Sequence, residues 1–363
     1  MSEASNVYYS GREISLHTPS GSAMLVRVEE VFLPFTQSQV MRVRILDGPP
    51  GYVSNSLVLK LYDRRFVKTR DSKHENFPWS IDTEIAAQSL WIEGQASPGL
   101  VESQYKNLNE MDLESDGWTP ALREEYFWQL VQLTFTAETR AYNLLRDYQG
   151  KTLPQYFGEV CLRAPDNLVP HNLPQAQVQG ILLEDIKGTF LEAIKEWDLP
   201  KRPPTFSAIG RSLIHLAASL SNHGIFHGDI RSGNIMLTTD LSRGVLIDFG
   251  NARFRDEFPS DESWTEWVGY EDEVGAVAYI LDLRRIRDLP PICRTLPRVS
   301  PGLHNAMVRK KPKSWQDRWY EPDHSDEVLR PLKPGVQEWY DALPRGWYPD
   351  PEYWLQQRPY SPI

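Results

Sequence analysis

Twenty-seven residues, HGDIRSGNIMLTTDLSRGVLIDFGNAR from His227 to Arg253, constrain the fold of this chain more than any other stretch. Two short apolar runs, GIFHGDI and GVLIDFG, each end in a cluster of glycine and aspartate. The apolar residues before each cluster put Asp229 and Asp248 at the ends of short strands or turns. Asn234 follows Asp229 by five residues, and Asp248 follows Asn234 by fourteen. A hairpin in the intervening loop would bring the two carboxylates near one another. Gly250 permits a backbone turn that most residues resist.

These residue types suit one chemistry. Hard oxygen ligands such as the Asp248 carboxylate and the Asn234 amide favour magnesium, which can bridge and neutralise phosphate oxygens. A further carboxylate, Asp229, can orient a hydroxyl and accept its proton. Two unrelated turns rich in Gly, Asp and Asn would need to match this pattern at this separation by chance.

Composition narrows the class. The 363 residues suffice for one large domain or two lobes. Cys161 and Cys293 stand 132 residues apart and outside any CxxC pair, so a disulfide framework or zinc site is not expected. A net charge of −10 argues against nucleic acid or an anionic membrane as partner. No run of eighteen apolar residues reads as a membrane span, and the polar N-terminus lacks a secretory pattern. The expectation is a cytoplasmic protein. RKKPK, Arg309 to Lys313, leaves a nuclear location open or is simply a solvated turn. The run Arg64, Arg65, Lys68, Arg70 and Lys73 reads as a solvated face rather than a basic patch.

Residues 1–23 read as an arm. MLVRVEEV from Met24, MRVRIL from Met41 and SLVLKLYD from Ser56 alternate as strands of a small antiparallel meander, with the turn signal DGPPG between the last two. Residues 64–120 read as a polar, acidic insertion carrying some helix. Thr119-Pro120 looks like a helix start, and Ala121 to Leu145 has helical apolar spacing with room for one break. VQGILLEDIKG, Val178 to Gly188, reads as a buried strand, and Ser207 to Asn222 as an amphipathic helix. Residues 301–363 hold five of the twelve tryptophans and ten of the twenty-eight prolines, and are expected to pack irregularly on the body.

HGDIRSGN resembles the HRDxxxxN catalytic loop of the protein-kinase-like superfamily, and IDFG resembles its metal-binding DFG. The resemblance covers roughly residues 24–290. It implies an α+β, two-lobed protein-kinase-like fold: an antiparallel-sheet N-lobe over 24–185, a mainly helical C-lobe over 186–290, and a tail over 291–363. It implies ATP and Mg2+ in the cleft and transfer of the γ-phosphoryl group to a hydroxyl acceptor. Lys60 in LVLKLYD is similar to the VAIK lysine and would pair with α- and β-phosphates. Glu138 best fits the helix glutamate that holds that lysine, with Glu124 and Glu125 as competitors; its context, ExxAYxxL, resembles kinase-like proteins of filamentous fungi. ILLEDIKG resembles the hinge, with Leu183 guarding the adenine pocket and backbone groups of Glu184 and Ile186 bonding the adenine edge. Asn234 and Asp248 would hold the metal, and Asp229 would align the hydroxyl. Arg231 would clamp the γ-phosphate, or else pair with a structural carboxylate.

Several features depart from the family. No GxGxxG joins the first two strands; the loop there is LPFTQSQ, whose Thr36 and Ser38 are the candidates for approaching phosphate. Gly228 replaces the arginine of HRD, which removes a contact used in switching by activation-loop phosphorylation. No APE follows DFG; Asp272 and Glu273 stand where a following helix could brace the catalytic loop. Three readings remain: a phosphotransferase acting on Ser/Thr hydroxyls of protein, one acting on a small molecule, and a pseudokinase serving as a nucleotide-binding or scaffold module.

Overall fold

The computed structural model describes residues 7–49, 56–70, 77–93, 119–163, 173–194, 204–271 and 273–283, with isolated positions beyond. The fold is α+β. The chain divides into two compact units, one of Met1–Gly150 with Pro154–Asp185, the other of Lys151–Leu153 with Ile186–Ile363.

Period-two alternation builds the first unit. Strands β1 (Glu13–His17), β2 (Ala23–Phe32), β3 (Gln39–Asp47) and β4 (Leu57–Leu61) pair in succession, all antiparallel. Strands β5 (Tyr156–Arg163) and β6 (Gln177–Glu184) complete the sheet in the order β1-β2-β3-β4-β6-β5. The expected meander is therefore β2-β3-β4, but the sheet is a closed barrel rather than an open one: His17 of β1 pairs with Cys161 of β5. The arm expected over residues 1–23 is corrected accordingly. Ile14 and Leu16 alternate inward, and burying them in the barrel core makes Glu13–His17 a strand. Met24, Val26 and Val28 of β2, Met41 and Val43 of β3, and Leu57, Leu59 and Leu61 of β4 fill the same core.

Helix α1 (Ile81–Ile92) starts at a Ser80–Thr83 capping box. Helix α2 (Pro120–Leu144) starts where Thr119 Oγ1 accepts the Leu122 N–H at 3.2 Å, with proline at its first position, and runs unbroken. In the basic run around residue 64 Lys68 is exposed, but Arg64 and Arg70 are not part of a solvated face; Lys73 lies outside the described residues. Arg64 and Arg70 are buried, and the Arg70 guanidinium meets Glu124 of α2 at 2.8 and 2.6 Å. Arg64 pairs with Glu84 of α1, and the Trp91 indole N–H of α1 donates to Glu125 of α2 at 2.6 Å. The Coulomb attraction of buried acids on two helices, not solvation, fixes these cations.

The second unit is built on α3 (Pro204–Asn222), whose Ile209, Leu213, Leu216, Ala217 and Leu220 are buried. Short strands follow: β8 (Ile225–Phe226), β9 (Ile235–Thr238), β10 (Gly244–Leu246) and β11 (Arg253–Phe254), with β7 (Gly188–Phe190) before α3. Strands β10, β9 and β7 form one small antiparallel sheet, and β11 pairs with β8. Helices α4 (Asp261–Glu271) and α5 (Glu273–Leu283) complete the described body. The Trp/Pro-rich tail lies almost wholly outside the described residues, as does most of the acidic stretch before Thr119.

Candidate functional site

In the first unit, alternation along β4 turns Leu57, Leu59 and Leu61 into the barrel and Lys60 to the opposite face. Lys60 Nζ lies 2.5 Å from Glu138 Oε2 on α2. The Tyr62 hydroxyl donates to the same oxygen at 2.6 Å. Lys60 is 6% exposed and Glu138 0%, so the pair is shielded from water. The two competitors for the glutamate position are occupied elsewhere, Glu124 by Arg70 and Glu125 by Trp91 and Gln129. Cross-strand pairing of Leu183 with Val58, and of Ile181 with Lys60, places Leu183 on the same sheet face as the lysine.

One reading of the sequence needs correction here, the presentation of Ser38 in the loop before β3. Glu184 donates its backbone N–H to Gln155 O at 2.9 Å, so of its backbone groups the N–H is taken up by the protein. Its carboxylate accepts the Gln155 N–H at 3.0 Å. Ile186 opens the second unit with its side chain buried. The loop LPFTQSQ is held down on the barrel: Phe35 is buried in its core, edge-on to Tyr8, and the Thr36 carbonyl accepts the Lys68 N–H at 2.8 Å. Ser38 is buried, so its hydroxyl is not presented for an incoming phosphate, whereas Thr36 is exposed. Burial of the apolar Phe35 side chain ties the middle of the loop to the barrel, an anchor that glycines would not supply.

In the second unit, the two motifs are stitched together by hydrogen bonds. The Asp229 backbone N–H donates to His227 Nδ1 at 3.2 Å. Since that nitrogen accepts, the proton sits on Nε2, which donates to the Ile247 carbonyl at 3.0 Å. The Ile247 N–H in turn donates to the Asn234 carbonyl at 2.9 Å. The residue before Asp248 is thus gripped from both sides by the loop that carries Asp229. Phe249, fully buried, packs on the His227 ring with centroids 4.5 Å apart. Asp248 itself adopts φ 69°, a left-handed conformation that aspartate tolerates better than most residues.

Asn234 Nδ2 donates to both the carbonyl and the Oδ2 of Asp229, each at 2.8 Å. Arg231 Nε donates to the same Oδ2 at 3.1 Å. Arg231, more than half exposed, therefore pairs with the very carboxylate assigned to the acceptor hydroxyl. Two donors on Oδ2 leave Oδ1 as the better-placed acceptor for a further proton.

The loop is braced from α5. Glu273 Oε2 accepts the His227 N–H at 3.0 Å, and Oε1 accepts the Gly228 N–H at 2.8 Å. Gly228 has φ 80°, and a Cβ there would lie 2.3 Å from the Asn251 carbonyl oxygen. No arginine fits at this position in this backbone. Strand β8 is anchored by Phe226, Phe258, Trp264 and Trp267, with the Phe226 and Trp267 rings 4.3 Å apart. The sequence patterns above did not single out this aromatic cluster, although its aromatics recur within ten residues, Phe258 to Trp267.

Asn234 and Asp248 supply hard oxygen donors of the kind magnesium takes. Asn234 spends its amide N–H groups on Asp229, which turns its Oδ1 away as a hard oxygen ligand. Asp248 adds a carboxylate. Among the described residues no three His, Cys, Asp or Glu side chains cluster as a self-sufficient metal site. One carboxylate and one amide, completed by phosphate oxygens and water, is a common arrangement for this ion.

No protein-family model matches the chain, and no curated protein sequence matches it. Solved structures do align with it. One, described as "Structure of vaccinia related kinase 3", is 12% identical, with 68% of this chain and 52% of that chain covered and a TM-score of 0.32. The chain thus spans about half the length of that structure. The overlap is loose, and the functional reading rests on the residues described above.

Proposed function

We propose that the chain is an ATP- and Mg2+-dependent phosphotransferase of the protein-kinase-like type, transferring the γ-phosphoryl group to a hydroxyl acceptor. The observation that carries the reading is the grip of His227 and Asn234 on Ile247, which joins the HGDxxxxN and DFG segments in one hydrogen-bonded unit. Two unrelated turns have no reason to share these bonds.

In this reading Lys60, held by Glu138, binds α- and β-phosphate oxygens. Asn234 and Asp248 hold the magnesium, whose charge would offset the charge developing on the phosphate oxygens. Asp229 aligns the acceptor hydroxyl through Oδ1 and takes its proton. Arg231, exposed and held by one hydrogen bond to Asp229 Oδ2, would be the guanidinium that meets a phosphate oxygen. Positioning and charge neutralisation supply most of the rate, because the transition state is loose. The acceptor is a protein Ser/Thr hydroxyl or a small molecule; the glycine at position 228 and the absence of APE favour the latter.

One observation favours a second reading, a nucleotide-binding module without turnover. The 33–38 loop is pinned to the barrel by Phe35, with Ser38 buried, and so offers little to a triphosphate. Calorimetric titration of ATP with and without magnesium, on wild type and Asp248→Ala, tests the proposal. Magnesium-dependent binding that is lost in the variant supports it. No binding by folded wild type sinks it, and binding without phosphoryl transfer to any acceptor leaves the second reading.

A further inference from the structure

Residues two apart on a strand share a face, so β4 sends Lys60 and the following Tyr62 to the same side. Opposite them lies α2, where Phe135 and Glu138 are one turn apart. The Tyr62 ring meets Phe135 edge-on, with centroids 5.4 Å apart, and its hydroxyl reaches Glu138 Oε2 at 2.6 Å. That oxygen is also the one bound by Lys60 Nζ at 2.5 Å, and the ammonium sits 5.7 Å from the Tyr62 ring centroid. Tyr62 is 1% exposed, so water does not substitute for its hydroxyl. Nothing in the motif resemblance assigned this residue a role.

We infer that Tyr62 is a positioning residue for the phosphate-binding lysine: its hydroxyl fixes the Glu138 carboxylate so that Lys60 is held at one point. The terminal torsion of a glutamate is broad, and a lysine bound to the carboxylate follows its orientation. A second donor on the same oxygen, mounted on a ring packed against the same helix, narrows that orientation. The ring fixes the distance between β4 and α2, and the hydroxyl fixes the carboxylate. This inference rests on the assignment of Lys60 to nucleotide phosphate.

The test is a double-mutant cycle on affinity for MgATP, measured by calorimetry on wild type, Tyr62→Phe, Glu138→Gln and the double variant. Phenylalanine keeps the ring contact with Phe135 and removes only the hydroxyl. Tyr62→Phe is expected to weaken MgATP binding by about tenfold, the usual effect of losing one hydrogen bond to a charged group. In the Glu138→Gln background the same change is expected to cost less than about twofold, because the group it acts through has already changed. Equal losses in both backgrounds would make Tyr62 a packing residue and overturn the inference, as would unaltered binding by Tyr62→Phe. Failure of wild type itself to bind MgATP would instead overturn the functional reading, and this inference with it.

Discussion

Glu273 holds Gly228 by its backbone: a carboxylate oxygen from the start of α5 accepts the Gly228 N–H at 2.8 Å, while its twin takes the His227 N–H at 3.0 Å. Replacing Glu273 with Ala strands two N–H groups and is expected to lower stability by about 3 kcal/mol. Glu273→Gln keeps one acceptor but turns an amide NH2 toward the other N–H, at a cost of about 1–2 kcal/mol. Urea unfolding should rank wild type above Gln and Gln above Ala. Equal midpoints for the two variants would show that the carboxylate does not act through these bonds.

Gly228 tests the backbone itself. Gly228→Ala combines a left-handed residue with a Cβ 2.3 Å from the Asn251 carbonyl oxygen, and is expected to cost about 3 kcal/mol or more. Gly11→Ala serves as its control: φ is 91° there, but no atom lies within 4 Å of the added carbon. Only conformational strain applies, about 1 kcal/mol. Similar losses at both positions, read by thermal or urea unfolding, would refute the close approach of the catalytic loop to Asn251.

Acid sensitivity is expected from Asp63. Burial would push this carboxyl up, but the Arg65 guanidinium and the hydrogen bonds from Arg65 and Tyr8 outweigh it and hold the carboxyl below its ordinary range. A carboxylate with a depressed folded value stabilises fully above its unfolded value, about 3.9, and loses that contribution as pH falls through the folded value. Wild type should therefore lose stability below about pH 4. Asp63→Asn should be less stable near neutrality and have a shallower acid limb. Thermal midpoints that run parallel for both proteins from about pH 7 to about pH 2 would exclude Asp63 as a contributor.

The link between the residue 64–93 segment and α2 predicts a different response. Arg70 donates two hydrogen bonds to Glu124, and its guanidinium carbon stands 4.0 Å from the Phe127 ring centroid. Arg70→Ala leaves the Glu124 carboxylate buried without this partner and is expected to cost about 3–5 kcal/mol. Arg27→Ala removes an exposed pair with Glu13 and should change stability by about 0–1 kcal/mol. If urea unfolding gave the two variants the same stability, the buried network would carry no special weight.

Several of the side-chain pairings were legible in the sequence. Lys60 and Glu138 were chosen by pattern, and the structure places them 2.5 Å apart across seventy-eight residues of chain. Asp229 and Asn234, five residues apart, meet at 2.8 Å, and the hairpin expected between Asn234 and Asp248 is the β9-β10 pair. Such motifs are local: a fixed number of residues between polar groups survives in any fold that keeps the turn. The alternating strands and the Thr119-Pro120 helix start were readable for the same reason, since period and capping are properties of neighbouring residues.

What the sequence by itself determined is therefore the inventory of chemistry and the short-range geometry around it. Only tertiary structure decided that Glu13–His17 joins a closed barrel, because that depends on a partner, β5, more than a hundred residues away. It also turned Arg64 and Arg70 inward: isolated arginines in a polar run read as solvated until Glu84 and Glu124 arrive from two helices to neutralise them. Ser38 is buried in the fold, and the Tyr62 hydroxyl meets Glu138 from seventy-six residues away. Long-range pairing sets the environment of a polar group, and environment, more than residue type, decides whether that group binds a ligand or holds the fold.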